Sequence, residues 1–157
     1  MLNSTITLRG DVELIITKNS GKQEKIKANN LIVNGGKNLI AHAIAYGYPT
    51  TGLDHYDNNV YGKPTMIKIG NGTNPVDLLA NSDLTGLSIE ESTSFTINNT
   101  VNNPIIACTA GFPSTAMAIK EAGIFNDAGT MLARVSFDVI NITFDDSISI
   151  NWTITVL

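Results

Sequence analysis

The sequence predicts a mainly β protein: a single-domain β-sandwich or jelly-roll-like fold over residues 1–157, with one short helix at about residues 35–46. Residues 147–157, SISINWTITVL, alternate apolar and polar side chains, which is typical of a half-buried strand. Turn signals such as N-S-G and N-D-A-G separate short β-rich runs. Only one stretch has apolar residues at helical spacing, and one helix among many short strands favours a sandwich.

The first half of the chain predicts a hairpin followed by this helix. STITLRG and DVELIITK lead into the turn NSGKQ and the run EKIKANNLIV. In NGGKNLIAHAIAYG, Asn34 is expected to cap the helix and Gly47 to end it. His42 lies on this helix without an acidic or second histidine neighbour, so we interpret it as a surface or packing residue. One narrow apolar stripe is expected to face the core: Leu39, Ile40, Ala43 and Ile44.

The second half predicts further short strands. TMIKIG is one strand, and VDLLANSDLTGL is irregular or briefly helical. SIEESTSFTINNT and NPIIACTAGF are expected to pair with each other around residues 102–104. The segment NITFDDS provides the turn into the last strand.

The charge content limits the classes of partner. Charged residues make up 15% of the chain, below the roughly 25% of an average domain, and Ser, Thr and Asn take their place. Such a neutral polar surface is common in proteins with lattice or fibre contacts, although an ordinary β-rich domain with neutral loops has the same composition. The net charge of −4 disfavours nucleic acid as a partner, and no stretch has membrane-spanning length. A solvated face is expected for four cations, Lys18, Lys22, Lys25 and Lys27.

No cofactor or metal is expected. Cys108, the single cysteine, lies in an apolar run and predicts a buried inert thiol. The G-N-G of residues 70–72 lacks the remainder of a nucleotide-binding motif. Asp54, Asp57 and Asn58 lack the order and the distal Glu of a calcium loop. The N-terminus lacks the pattern of an export signal, which predicts a reducing compartment.

An inserted loop at residues 48–64 is the candidate interface. All tyrosines of the chain lie in or beside it, and tyrosine is enriched at protein interfaces. The alternative is that these rings cover the helix and a sheet edge. The candidate interface residues are Tyr46, Tyr48, His55, Tyr56 and Tyr61.

The stretch 119–137, IKEAGIFNDAGTMLARVSF, predicts a hairpin around N-D-A-G. A three-residue loop would place Asn126 opposite Thr130 and Glu121 on an apolar face. A four-residue loop would place Glu121 opposite Arg134 and segregate polarity better, so we predict this register and a structural Glu121–Arg134 ion pair. No catalytic residues are predicted, since the Glu121–Arg134 pair has one carboxylate where a glycosidase needs two, and neither His42 nor His55 lies in this hairpin to activate a nucleophile.

Several segments, in order, resemble a family of small structural proteins of tailed bacteriophages: NLIVNGGKNLIAHAI, IKIGNGTNP, SDLTGL, EAGIFNDAGTMLARVSF and SISINWTITV. That family has a Gly-Lys-Asn helix start, a GxGT turn, a DTxL segment, an EAGIF…GTMLAR…F hairpin and a final alternating strand. The resemblance covers nearly all of the chain from about Asn30. SDLTGL departs from the tighter DTxL, and the 48–64 loop is longer than the family pattern implies.

The resemblance implies a non-enzymatic virion component present in many copies and assembled in the host cytoplasm. The leading hypothesis is a capsid decoration, or cement, protein whose partners are the major capsid protein and/or copies of itself. Residues 1–5 are interpreted as an arm that adds a strand to a neighbouring sheet. One alternative is a tail, baseplate or fibre-associated protein involved in attachment or receptor binding. An alternative of another class is a carbohydrate-binding module or small hydrolase.

Overall fold

The computed structural model describes residues 7–46, 63–72, 82–98, 103–113 and 115–157, with only the backbone of residues 45 and 46. The predicted arm at residues 1–5 and residues 48–62 of the predicted loop therefore lie outside the described residues.

The described residues form nine strands and one helix, α1 (Asn34–Tyr46). The first five strands along the chain are β1 (Leu8–Thr17), β2 (Gln23–Ile32), β3 (Pro64–Gly70), β4 (Ser88–Ser92) and β5 (Thr96–Asn98). The remaining strands are β6 (Ile105–Phe112), β7 (Met117–Asn126), β8 (Met131–Ile142) and β9 (Ser147–Val156). The prediction of a mainly β, sandwich-like fold with one short helix is confirmed.

All nine strands belong to one antiparallel sheet with the order β4-β3-β7-β8-β2-β1-β9-β6-β5. The sheet curls into two layers because β2 takes part in both. Its residues 23–30 pair with β1, and its last two residues, Leu31 and Ile32, pair with β8. The predicted β1–β2 hairpin is confirmed, and β9 lies between β1 and β6.

The core lies between the two layers. In β1, Val12, Leu14 and Ile16 are buried. Trp152 and Ile150 of the neighbouring strand β9 lie opposite Val12 and Leu14. The second layer adds buried side chains from β3, β7 and β8 to the same cluster. The predicted alternation in β9 holds at its first three apolar positions, whereas Ile154 and Val156 are half-buried near the open end of the sandwich.

The helix closes part of this end. Lys37 N–H donates to the Val33 carbonyl at 3.1 Å, so the helix begins one residue earlier than predicted and Asn34 is its first residue. A Cβ at Gly36 would lie 2.2 Å from the Leu132 carbonyl oxygen, so this glycine lets the helix approach the β8 backbone. In the predicted stripe Leu39 is buried, but Ile44 is exposed.

One predicted strand pairing is only partly right. The TIN segment, β5, pairs with β6, so Thr96 lies opposite Ala107. The SIEES segment, β4, instead pairs with β3 in the other layer, so Ile89 lies opposite Ile69. The chain between β4 and β5 thus passes from one layer to the other, which the shared β character of the two segments does not indicate.

The β7–β8 hairpin is present, but the predicted four-residue register is wrong. Asn126 N–H donates to the Thr130 carbonyl at 3.2 Å, and Phe125 lies opposite Met131. The Asn126 side-chain oxygen accepts from the backbone N–H groups of Ala128 (3.1 Å) and Thr130 (2.9 Å). This buried side chain therefore stabilises the tighter loop, and Gly129 supplies its positive φ of 78°.

A bulge next to the loop then changes the pairing. Between Phe125 and Ile124 the register shifts by one residue, so Gly123 lies opposite Arg134 and Glu121 opposite Ser136. Glu121 and Arg134 therefore lie on the same face as diagonal neighbours rather than directly opposite each other. Met131 packs with Phe125 and Val33 in a second, smaller cluster.

Among the described residues, no helix combines the length and the apolarity that crossing a bilayer requires.

Candidate interaction surfaces and the buried ion pair

Glu121 and Arg134 form a buried ion pair on the side of β7 and β8 that faces away from the main core. Each side chain is 1% exposed. Arg134 Nε donates to Glu121 Oε2 at 3.2 Å, and Arg134 Nη2 contacts the same oxygen. The ion pair expected from the sequence is therefore present, with far deeper burial than an exposed pair would have.

The other carboxylate oxygen of Glu121, Oε1, binds the loop that precedes β4. Glu121 Oε1 accepts from Thr85 N–H at 2.8 Å and lies 3.3 Å from Thr85 Oγ1. A Cβ at Gly72 would lie 2.1 Å from Glu121 Oε1, so the G-N-G segment approaches this carboxylate closely. Asn71 also binds the loop, because its side-chain oxygen accepts from Leu87 N–H at 2.9 Å. The pair thus fastens the residues before β4 onto β7, and the G-N-G segment packs against a carboxylate.

The outward side of β6, β9, β1 and β2 forms what we call the outer polar face. Thr109, Asn151, Glu13 and Lys27 lie in one row across the four strands. Thr109 Oγ1 donates to Asn151 Oδ1 at 2.9 Å, and Asn151 Nδ2 to Glu13 Oε2 at 3.5 Å. The row is therefore a hydrogen-bonded ladder on the surface of the sheet. The face is defined by Asp11, Glu13, Lys27, Asn29, Thr109, Asn151 and Thr153.

The charges of the outer polar face are balanced. Arg9 Nε lies 3.1 Å from Asp11 Oδ2, and Lys27 Nζ lies 3.7 Å from Glu13 Oε1. A shallow depression of about 490 Å³ lies over Asp11, Glu13 and their neighbours on this face. The face therefore offers hydroxyl and amide groups, and each of its two carboxylates lies beside a cation.

An apolar cavity, here called the end cavity, opens at the end of the sandwich beside α1. Its volume is about 280 Å³. Its lining includes Leu8, Ile40, Ile44, Phe95 and Ile106. This cavity could not be predicted from the sequence. Phe95, an isolated aromatic residue between two polar strand segments, is the one sequence feature that hints at an apolar site here. Periodicity, however, does not show which layers of the sheet enclose its side chain.

The turn between β8 and β9 contains a second buried carboxylate. Thr143 N–H donates to Asp146 Oδ2 at 2.9 Å, and Lys18 Nζ lies 3.0 Å from the same oxygen. The hydrogen bond from Thr143, followed by the interaction with Lys18, lowers the pKa of Asp146. Lys18 is half-buried and differs in this from Lys22, Lys25 and Lys27, which are exposed as predicted.

Cys108 is buried on β6, as the sequence predicts. Desolvation by burial raises the pKa of its thiol to about 12. At neutral pH the group is therefore a protonated thiol that packs in the core. Groups of three or more His, Cys, Asp or Glu side chains with metal-binding geometry do not occur within the described residues.

The predicted tyrosine interface cannot be placed on this framework. Tyr48, His55, Tyr56 and Tyr61 lie outside the described residues, and Tyr46 is described only as the last backbone position of α1. Asp54, Asp57 and Asn58, which lack the pattern of a calcium loop, also lie outside the described residues. His42, half-buried on α1, is consistent with its interpretation as a surface or packing residue.

Comparison of the chain with protein-family models, with curated proteins and with solved structures gave no match.

Proposed function

We propose that this protein is a non-enzymatic structural component of a tailed-bacteriophage virion, a decoration protein that binds the capsid lattice and stabilises contacts between capsomers. The segments that resemble phage structural proteins motivate the assignment, including the β7–β8 hairpin and the final strand. The expected partners are the major capsid protein and copies of this chain.

The outer polar face is the observation that carries the proposal. It extends over four strands, and hydrogen bonds link three of its side chains, Thr109, Asn151 and Glu13. A lattice contact of this kind uses many shallow, wet hydrogen bonds, and each needs little further ordering of the side chains. Since Asp11 and Glu13 are each paired with a cation, the face meets a partner without unpaired charge.

The rigidity of the framework supports the same role. A decoration protein must transmit force between capsomers, and the single curled sheet joins both layers through β2. The Glu121–Arg134 pair fixes the loop before β4 onto this sheet. Weak contacts of each copy then add up through the number of copies on the lattice.

The location in the virion tests the proposal. The particle that contains this chain should carry hundreds of copies on the head, counted by quantitative mass spectrometry and located by electron microscopy. A handful of copies at the tail would favour the alternative of a tail, baseplate or fibre-associated protein. Absence of the chain from purified particles would contradict a virion role altogether.

A matched pair of variants tests the outer polar face. Asn29→Arg adds a long cation to this face, and Asn141→Arg adds the same side chain at an exposed position of β8 in the other layer. We expect Asn29→Arg to lower occupancy of capsids at limiting protein concentration by about tenfold or more, because a desolvated extra charge costs over 1 kcal/mol. Asn141→Arg should bind like the unmodified protein. Equal occupancy for both variants would contradict the assignment of this face.

The alternative tail role rests on the tyrosines of the 48–64 loop. Aromatic rings suit protein interfaces and sugar recognition, and Tyr56 and Tyr61 are the residues to test. Glycan binding that is abolished by Tyr56→Ala or Tyr61→Ala would favour receptor recognition. Unchanged binding in both variants would remove the support that these tyrosines give to that role.

A further inference from the structure

We propose that the end cavity and a polar depression beside it bind a carboxylic acid with an unbranched acyl chain. The depression, here called the vestibule, has a volume of about 450 Å³. Three residues line both spaces, namely Leu8, Ile32 and Ile40. The two spaces are therefore adjacent, and the acyl chain lies in the end cavity with its carboxylate in the vestibule.

The vestibule arises from the path of β2. Asn30 and Gly10 form the last residue pair between β2 and β1 at this end of the sheet. The next two residues of β2, Leu31 and Ile32, pair with β8 instead. The two strands therefore separate at this point, and the gap lies between the start of β1 and α1.

A buried amide without a partner lies where the strands separate. Gly10 alternates along β1 with the buried Val12, so Asn30, which lies opposite Gly10, has its side chain on the inner face of the sheet. Both amide atoms of Asn30 are shielded from water, and neither has a hydrogen-bond partner within the described part of the chain. An amide buried in this way costs free energy that a hydrogen bond would recover.

The Asn30 amide can serve a ligand in the vestibule. It lies against the β1 backbone, where a Cβ at Gly10 would overlap Asn30 Oδ1. Because the amide makes no hydrogen bond in this position, a turn of the side chain toward the vestibule breaks none. There Asn30 Nδ2 can donate to a ligand oxygen, so the ligand satisfies a donor that the fold leaves unpaired.

The vestibule favours an anionic head group. Of the described residues that line it, Lys37 on α1 is the one with a charge, and Thr7 adds a hydroxyl. A carboxylate accepts hydrogen bonds from an ammonium group and an amide, and bonds to a charged acceptor are stronger than those between neutral groups. A cationic head group would meet Lys37 without a compensating carboxylate from the described lining.

The end cavity favours a single linear chain. All the described residues that line it are apolar, so it offers no partner for a second polar group. Its volume of about 280 Å³ equals that of about nine water molecules in the liquid, at about 30 Å³ each. A methylene group is of similar size, so the cavity holds an acyl chain of about eight to ten carbons. Sugars and dicarboxylic acids do not fit such a lining.

Calorimetric titration of the purified, delipidated full chain at neutral pH tests the proposal, without reference to the virion role. The probes are decanoate, decanol and decylamine, which share one chain length and differ in head group. We expect decanoate to bind about tenfold or more tightly than decylamine, with decanol between them. From hexanoate to decanoate, each added methylene should tighten binding about fourfold, and longer chains should gain less once the cavity is full.

Two variants test the head-group contacts. Lys37→Met should weaken decanoate about fivefold or more and leave decanol unchanged, whereas Lys25→Met, at an exposed position of β2, is the matched control and should change neither. Asn30→Leu, which has nearly the same shape, should weaken decanoate about fivefold or more. It should also raise the urea midpoint of the free chain, because the unpartnered amide is gone.

Four results would overturn the proposal. The first is no binding of decanoate, which would mean that another occupant, such as a part of the chain outside the described residues, fills the end cavity. The second is equal affinity for the three head groups. The third is equal losses of decanoate affinity in Lys37→Met and Lys25→Met. The fourth is an Asn30→Leu variant that binds decanoate as tightly as the unmodified chain, since its amide would then serve no ligand.

Discussion

Replacement of Arg134 by methionine should strongly destabilise the protein. Arg134→Met keeps a long apolar stem but removes the guanidinium that faces Glu121. The carboxylate, 1% exposed, then retains its contacts with Thr85 but has no cation in the pair. Removal of one partner from a buried ion pair costs about 3–5 kcal/mol. At about 2–4 °C per kcal/mol for a chain of this size, Tm should fall by roughly 6–20 °C.

A double variant separates the charge effect from packing. In Glu121→Gln/Arg134→Met both charges are gone, and the glutamine oxygen can still accept from Thr85 N–H. We therefore expect the double variant to be more stable than Arg134→Met by about 2 kcal/mol, even though it has one more substitution. Such non-additivity would identify the buried unpaired carboxylate as the cause of the loss.

Urea unfolding measures both effects. Trp152 is the single tryptophan and is buried, so its fluorescence reports on the core. Arg9→Met is the matched control, because the Arg9–Asp11 pair is exposed and should contribute less than about 1 kcal/mol. Equal losses for Arg134→Met and Arg9→Met, or additive effects in the double variant, would refute the reasoning.

Three further predictions concern single sites. Gly72→Ala should lower the free energy of unfolding by about 1–3 kcal/mol in the same urea assay, because its Cβ would overlap the carboxylate that the loop approaches; an unchanged midpoint would contradict this close packing. Since Thr143 N–H and then Lys18 lower the pKa of Asp146, its carboxylate stabilises the fold above the ordinary pKa of 3.8, and this contribution is lost as the pH falls through the lowered value. The stability of Asp146→Asn should therefore approach that of the unmodified protein in acid; a constant difference across the pH range would argue against the assignment. Cys108, with its pKa raised to about 12, should react with Ellman's reagent at pH 8 only after unfolding, so rapid reaction of the native protein would be inconsistent with its burial.

Strands with one buried face could be predicted from the sequence. In β1 and the first part of β9, apolar and polar residues alternate because one face meets the core and the other meets solvent. The sequence also predicts the turns between β1 and β2 and between β7 and β8, because a turn depends on the backbone preferences and hydrogen bonds of neighbouring residues. The mainly β fold class could therefore be predicted from these segments.

The β7–β8 register could not be predicted because both faces of β7 are buried. Residues 121–126 are all buried, so polarity does not distinguish the core face from the face that the loop covers. Two bulges then change which residues lie opposite each other. The contact between Glu121 and Thr85 joins positions far apart in the chain and depends on the path of the intervening segments. The ion pair could be predicted from the sequence, but its role in holding the loop could not.

The central place of β9 has a consequence for synthesis of the protein. This strand follows all the others in the chain, yet it pairs with both β1 and β6. Until residues 147–156 leave the ribosome, β1 has only β2 beside it and is an edge strand, and β6 has only β5 beside it. Pairing between sequence-distant strands also makes folding slow. The nascent chain therefore leaves one edge of β1 unpaired and open to other chains until synthesis reaches β9.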